Sequence, residues 1–178
     1  VALRAELGQF RQQLRDQIGQ MVYPVHRLDV PTSGVLVFAL SSQSASQISQ
    51  QLQRATTQKI YWAIVRGYVQ PEGVIDIPLQ SDSSKEMLQA LTKYKSLHRI
   101  EIPQAIGVRY ATSRYSWLEV RLESGRFHQI RRHMNRISHP VIGDAEHGDL
   151  RHNQFFRDKL LIPGLCLHCL EMAFEYNG

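Results

Sequence analysis

The chain has 178 residues, 43% hydrophobic and 21% charged, a composition that suits one globular domain (residues 1–178) and excludes a disordered, collagen-like or low-complexity chain. Its 21 Lys plus Arg against 16 Asp plus Glu give a net charge of +5, and the basic residues are 16 Arg to 5 Lys. An Arg-dominated surplus favours a nucleic-acid partner, because the planar guanidinium binds phosphate bidentately and stacks on bases, although a solvated basic surface has the same composition. The longest apolar run, Val35 to Leu40, is too short to span a bilayer. No signal-like segment precedes it, and two Cys fit a reducing, cytoplasmic setting. Val1 is not a start methionine, so residues upstream of it are expected.

Leu3, Leu7, Phe10, Leu14 and Ile18 recur at spacings of three and four, which predicts a helix over Val1 to Met21 closed by Gly19 and Pro24. Gly34 to Leu40 reads as a strand buried on both faces. A helix follows, capped by Ser41 or Ser42, with Ala45, Ile48, Leu52 and Ala55 on its packed side. Ile60 to Arg66 is a second strand, with Tyr61, Ala63 and Val65 on one face and Ile60, Trp62 and Ile64 on the other. Ser81 to Lys85 is polar and reads as a loop. Trp117 to Leu122 alternates as a half-buried strand, and Ser124-Gly125 breaks it. Arg126 to Ile137 is then predicted helical, with Phe127, Ile130, Met134 and Ile137 against the sheet and His139-Pro140 at its end. Leu165 to Phe174 is the last predicted strand, with His168, Leu170, Met172 and Phe174 sharing a face. Strands and helices mix without a regular alternation, which indicates an α+β fold.

Three constellations could carry chemistry. His26-Arg27-Leu28-Asp29 lies in an irregular stretch before Pro31-Thr32-Ser33-Gly34, where a rigid strand can fix a loop while a side chain faces a cleft. Asp29 sits between Leu28 and Val30; it either pairs with a cation or merely caps the turn through the amides of Thr32 and Ser33. Ser124 to His133 feeds a helix N-terminus dense in Arg and His, which attracts anions or is simply a solvated basic face. With Ile130 facing the core, Arg131 falls at the edge between buried and exposed. Lys59 to Gly67 places Tyr61 on a strand, either as a flat face for a nucleobase or as core. Cys166-Leu167-His168-Cys169 lacks a matched second ligand pair, which disfavours a metal site and a metal-dependent hydrolase.

Taken in order, HRLDVPTSG (His26 to Gly34), KIYWAIVRG (Lys59 to Gly67), SGRFHQIRRHM (Ser124 to Met134), HPVIGD (His139 to Asp144) and Leu167-His168 resemble the RluA-type pseudouridine synthases. Within that family, RDQIGQ (Arg15 to Gln20), Pro31 and GDAEHGDLRHN (Gly143 to Asn153) are similar to the branch that modifies uridine 65 of tRNA. The resemblance implies the pseudouridine synthase catalytic fold, a mixed, mostly antiparallel sheet flanked by helices. It also implies an isomerase that breaks the bond from sugar to base nitrogen and rejoins the sugar to a ring carbon, with no cofactor and no metal. It assigns catalysis to Asp29 and substrate binding to Arg27, Tyr61, Ile130 and Arg131: Tyr61 packs on the target base, Arg131 pairs with Asp29, and Arg27 enters the RNA stack vacated by the flipped uridine. The expected partner is tRNA, with ribosomal RNA as the alternative substrate and a non-catalytic RNA-binding module of the same fold as the alternative role. No membrane partner is expected, and a monomer is. Family members carry a Lys-Pro-containing strand upstream, so that strand and the segment following Asn177-Gly178 are expected beyond these residues.

Overall fold

The apolar spacing near the N-terminus does form a helix, α1 (Ala2–Ile18), which ends where Gly19 adopts φ +69°. The computed structural model describes residues 2–54, 56–107 and 110–176, with side chains from residue 8 onward. Expectations resting on Val1, Ala55, Asn177, Gly178 and the side chains of Leu3 and Leu7 lie outside the described residues. Phe10 of α1 meets Phe38 with ring centroids 6.0 Å apart, but Phe10 and Ile18 remain about half exposed, so this helix does not bury the full face its spacing predicts.

β1 (Tyr23–Pro24), β2 (Ser33–Gly34) and β3 (Phe38–Ala39) come next. The single strand expected over Gly34 to Leu40 is therefore two, in different sheets: β3 pairs with β1, whereas β2 pairs with the last strand of the chain. The physical reason is that the run serves two cores. Val35 packs against the main one, and Val37 packs against a smaller one made by Val25, Ala39, Ile48 and Leu52. α2 (Ser42–Gln51) is capped by Ser41, whose hydroxyl accepts the Ser44 N–H at 3.1 Å.

β4 (Gln58–Arg66), β5 (Glu72–Asp76), β6 (Leu79–Gln80), β7 (Met87–Leu88), β8 (Leu91–Ile102) and β9 (Ser113–Leu122) follow, with Ser81 to Lys85 in the turn between β6 and β7 as expected. α3 (Gln129–Arg136), α4 (Leu150–Lys159) and β10 (Leu167–Ala173) complete the elements. The six-stranded sheet has the order β2-β10-β4-β9-β8-β5, antiparallel except for the β2–β10 pair. The fold is α+β with a mixed, mostly antiparallel sheet flanked by helices. One face carries Tyr61, Ala63, Val65, Leu118 and Val120 and buries Ile130 and Met134 of α3. The other face carries Ile64 and Tyr115 and packs against Phe156 of α4. β10 contains a register shift between Cys169 and Glu171, so Leu167, Cys169 and Met172 share the α3 face, and the predicted alternation through Leu170 fails. Among the described residues no helix is long and apolar enough to cross a membrane.

Candidate active site

A cleft of about 440 Å³ opens between the loop after β1 and the start of α3, and it is lined by Arg27, Asp29, Tyr61, Ile130 and Arg131. All five residues singled out in the sequence thus meet in one place. The Asp29 loop is pinned by His26, whose Nε2 accepts the Val37 N–H at 3.0 Å. The turn closes through the Asp29 backbone carbonyl, which accepts the Thr32 N–H at 2.8 Å. No hydrogen bond to the Asp29 carboxylate occurs among the described residues, so the carboxylate is not the cap of its own turn.

Arg131 is not at an edge. It is 2% exposed, and the cause is a carboxylate thirteen residues on. Its Nε and Nη2 each donate to Asp144 at 2.7 Å, and Nη2 also reaches Glu146 at 3.3 Å. Burial alone would push the Asp144 carboxyl up, but the Arg131 hydrogen bonds and the amides of His147 and Glu146 overcome it and hold it below the usual carboxylate range. Asn153 of α4 clamps the same turn by accepting the Gly143 N–H and donating to the Asp144 carbonyl. With two of its nitrogens so fixed, the third, Nη1, is buried, has no hydrogen-bond partner among the described residues, and lies 3.9 Å from Asp29 Oδ2. Thr32 Oγ1, on the same cleft, is likewise buried and unpartnered. Orphaned polar atoms on a cleft wall mark where a ligand completes the bonding. Asp144 escaped the sequence reading as a site residue; its only signal was its place at the end of the HPVIGD segment.

The helix expected from Arg126 begins only at Gln129, because Gln129 ties the preceding loop to the sheet. Its carbonyl oxygen accepts from Ser124 Oγ and the Arg126 N–H, and its amide nitrogen donates to the Leu91 carbonyl and Thr92 Oγ1. His128 takes the left-handed conformation at φ 51°, uncommon for a residue with a side chain, and Phe127 turns away from the sheet to stack on it at 3.7 Å. His128 Nε2 lies 3.8 Å from Asp29 Oδ2, and its Nδ1 lies 3.2 Å from His147 Nε2. Burial lowers the His128 pKa and outweighs the upward pull of Asp29, so the ring is neutral near pH 7. His128, Glu146 and His147 are the one group among the described residues with three potential metal-ligand atoms within 4.8 Å of one another; Cys166 and Cys169 belong to no such group. Glu146 is already engaged with Arg131 and the two rings with each other.

Tyr61 serves core and cleft together. It is 9% exposed within the main cluster and lines the cleft. Burial, then Cys169 and the Asp29 charge, push its pKa up, which keeps it protonated. With Ile130, Leu167 and Met172 it makes an apolar part of the same cleft that Asp29 and Arg131 line. A planar, weakly polar ring attached to a sugar fits this arrangement.

The sequence model for RNA pseudouridylate synthases matches residues 5–136. The chain belongs to that family. Among relatives, a tRNA pseudouridine synthase C of Vibrio parahaemolyticus is 46% identical over 175 residues, covering 93% of this chain and 71% of that protein. A tRNA pseudouridine synthase C of Pectobacterium carotovorum is 49% identical over 93% of this chain, which spans 46% of that protein's length. In fold, human RNA pseudouridylate synthase domain containing 1 superimposes with a TM-score of 0.77 at 22% identity over 94% of this chain and 69% of that one. The chemistry of this pseudouridine synthase is therefore an isomerisation of uridine in RNA.

Proposed function

We propose that this pseudouridine synthase modifies tRNA, at uridine 65 in the acceptor and T-stem region, acting as a monomeric catalytic domain in the cytoplasm. Relatives named tRNA pseudouridine synthase C, at 43–49% identity, support tRNA as substrate. The catalytic reading rests on one observation: the Asp29 carboxylate faces the buried, otherwise unpartnered Nη1 of Arg131 at 3.9 Å. A cation so placed attracts the carboxylate across the cleft and fixes where its charge sits. In the reaction the bond from sugar C1′ to base N1 breaks, C1′ bonds to C5, and the proton on C5 is replaced by one on N1, so atoms balance with no oxidant, reductant or added water. Asp29 supplies the ionised carboxylate, either as nucleophile or as the base that takes a sugar proton. Tyr61 and Ile130 carry the extruded base, and the exposed Arg27 fills the gap it leaves in the stack, offsetting an unstacking cost of a few kcal/mol.

Pseudouridine mapping of bulk tRNA and ribosomal RNA from a strain lacking the protein, rescued by wild type or by Asp29→Asn, tests both parts. One tRNA site lost and restored only by the wild type is the expected result. A lost ribosomal RNA site moves the substrate, and an unchanged map leaves an RNA-binding module. In purified form Asp29→Asn is expected to lower turnover by about 100-fold or more while RNA affinity stays within a few fold. Turnover near the wild-type rate removes Asp29 from the chemistry.

A further inference from the structure

A second groove, of about 470 Å³, runs out of the catalytic cleft between the end of α2, the start of β4 and the loop before α3. It shares Leu52, Gln53, Lys59, Leu122, Gly125 and Arg126 with the cleft, so the two form one continuous trough. Three cations line it, Arg54, Lys59 and Arg126, against a single carboxylate, Glu123, which is already held by Lys93 Nζ at 2.8 Å. Among the described residues Arg54 has no ion pair, and Arg126 uses only its Nε, donating to the Gln89 carbonyl at 3.0 Å, so its two terminal nitrogens are unengaged. Lys59 Nζ gives one hydrogen bond to the Leu52 carbonyl at 2.8 Å, and burial lowers its pKa, the condition of an ammonium short of counter-charge.

Two of these cations are also held in place. Arg126 follows the loop that Gln129 fixes to the sheet, and Lys59 stands on β4, two residues from Tyr61. A solvated basic face would show side chains free to sweep through water, whereas Lys59 and Arg126 are anchored along a concave path that begins at Tyr61 and Asp29, with the exposed Arg54 at its far end. A nucleotide extruded into the cleft must trail its phosphodiester backbone out of it, and this is an exit whose cations have no competing carboxylate. We propose that the groove is a subsite for the RNA strand adjoining the isomerised nucleotide, with Arg126, Lys59 and Arg54 holding its phosphates. The proposal deepens the reading of the cleft as the uridine site and rests on it.

Two measurements on the intact protein test the subsite separately from that reading. In the first, binding of a fluorescent single-stranded oligouridylate is followed against salt. Arg54→Ala with Arg126→Ala should weaken binding at least tenfold and reduce the slope of log affinity on log salt by about 1.4, two single-strand phosphate contacts. An unchanged slope overturns the subsite even if the enzyme proves to act on another RNA. In the second, one phosphodiester adjoining the target uridine is replaced by an uncharged methylphosphonate. The replacement should raise KM several-fold for the wild type and add nothing to the raised KM of Arg126→Ala. Losses that multiply place Arg126 elsewhere on the RNA and overturn the proposal. Unmodified melting temperature for both variants excludes misfolding as the source of the loss. Wild type that binds oligouridylate as expected yet turns over no RNA refutes the catalytic reading and leaves the subsite standing.

Discussion

Asp144 does not line the cleft, yet the charge beside Asp29 depends on it. It fixes two of the three terminal or inner nitrogens of Arg131 and leaves the third for Asp29. Asp144→Ala leaves the buried guanidinium with only the longer contacts to Glu146 and Asp29, which should cost up to about 3–5 kcal/mol of stability and nearly all turnover. Removing both charges in Asp144→Ala with Arg131→Met should restore most of the stability and none of the turnover. Urea unfolding alongside turnover on the same preparations separates the two effects, and a double variant as unstable as the single would show that packing, not charge, is what Asp144 supplies. At this scale the sequence made Asp29, Arg27, Tyr61, Ile130 and Arg131 visible because each stands in a dense motif. It placed Arg131 at an edge because helical spacing alone cannot see a partner on another segment. The carboxylate that pulls it inside is thirteen residues away in a turn.

Among the elements, β2 positions the Asp29 loop through its parallel register with β10. Gly34 makes that approach possible: it adopts φ +118°, and a Cβ there would lie 2.1 Å from the Cys169 carbonyl oxygen. Gly34→Ala should therefore cost at least about 2 kcal/mol through backbone strain and should lower turnover with it, because the strand must move off β10 and carry the loop along. A melting temperature and turnover equal to wild type would show that the register does not hold the site. Where period and packing agreed, as in β4, β9 and α2, elements were legible. They were lost where tertiary bonds overrode period. Gln129 spends its amide on the sheet and delays α3, the shift after Cys169 turns Met172 inward, and the apolar run from Gly34 is divided between two cores.

For the whole molecule, buried imidazoles set the response to acid. His133 is fully buried; its Nε2 donates to the Ile77 carbonyl and its Nδ1 accepts from Thr92, a neutral ring. Burial holds His26, His128, His133 and His152 below the ordinary 6.5. As pH falls through 6.5 the unfolded chain takes up protons before the folded one, so stability should rise with pH across this window and be lost on acidification. The low-lying carboxyls of Asp144 and Asp149 add stability above the ordinary 3.8 that is lost as pH falls further, through their folded values. Melting temperature measured from pH 7.5 to 5 should decline; a flat profile would mean that these rings titrate alike in the folded and the unfolded chain. Composition made the nucleic-acid partner legible at this scale through the Arg surplus. It could not show which arginines border the cleft, since that is a property of loops brought together from α2, β4 and the α3 entry.

The link between β2 and β10 also orders events in time. Ser33 and His168, joined through Oγ and Nδ1 at 2.9 Å, are 135 residues apart in the chain. Contacts of such separation close late, after local hairpins and helices have formed. During synthesis the Asp29 loop emerges early and waits without its supporting strand until β10 has left the ribosome. A chain still being made carries Arg27, Asp29, Tyr61, Ile130 and Arg131 before Leu167 and Met172 of β10 can join them, so the cleft is assembled only once β10 has paired.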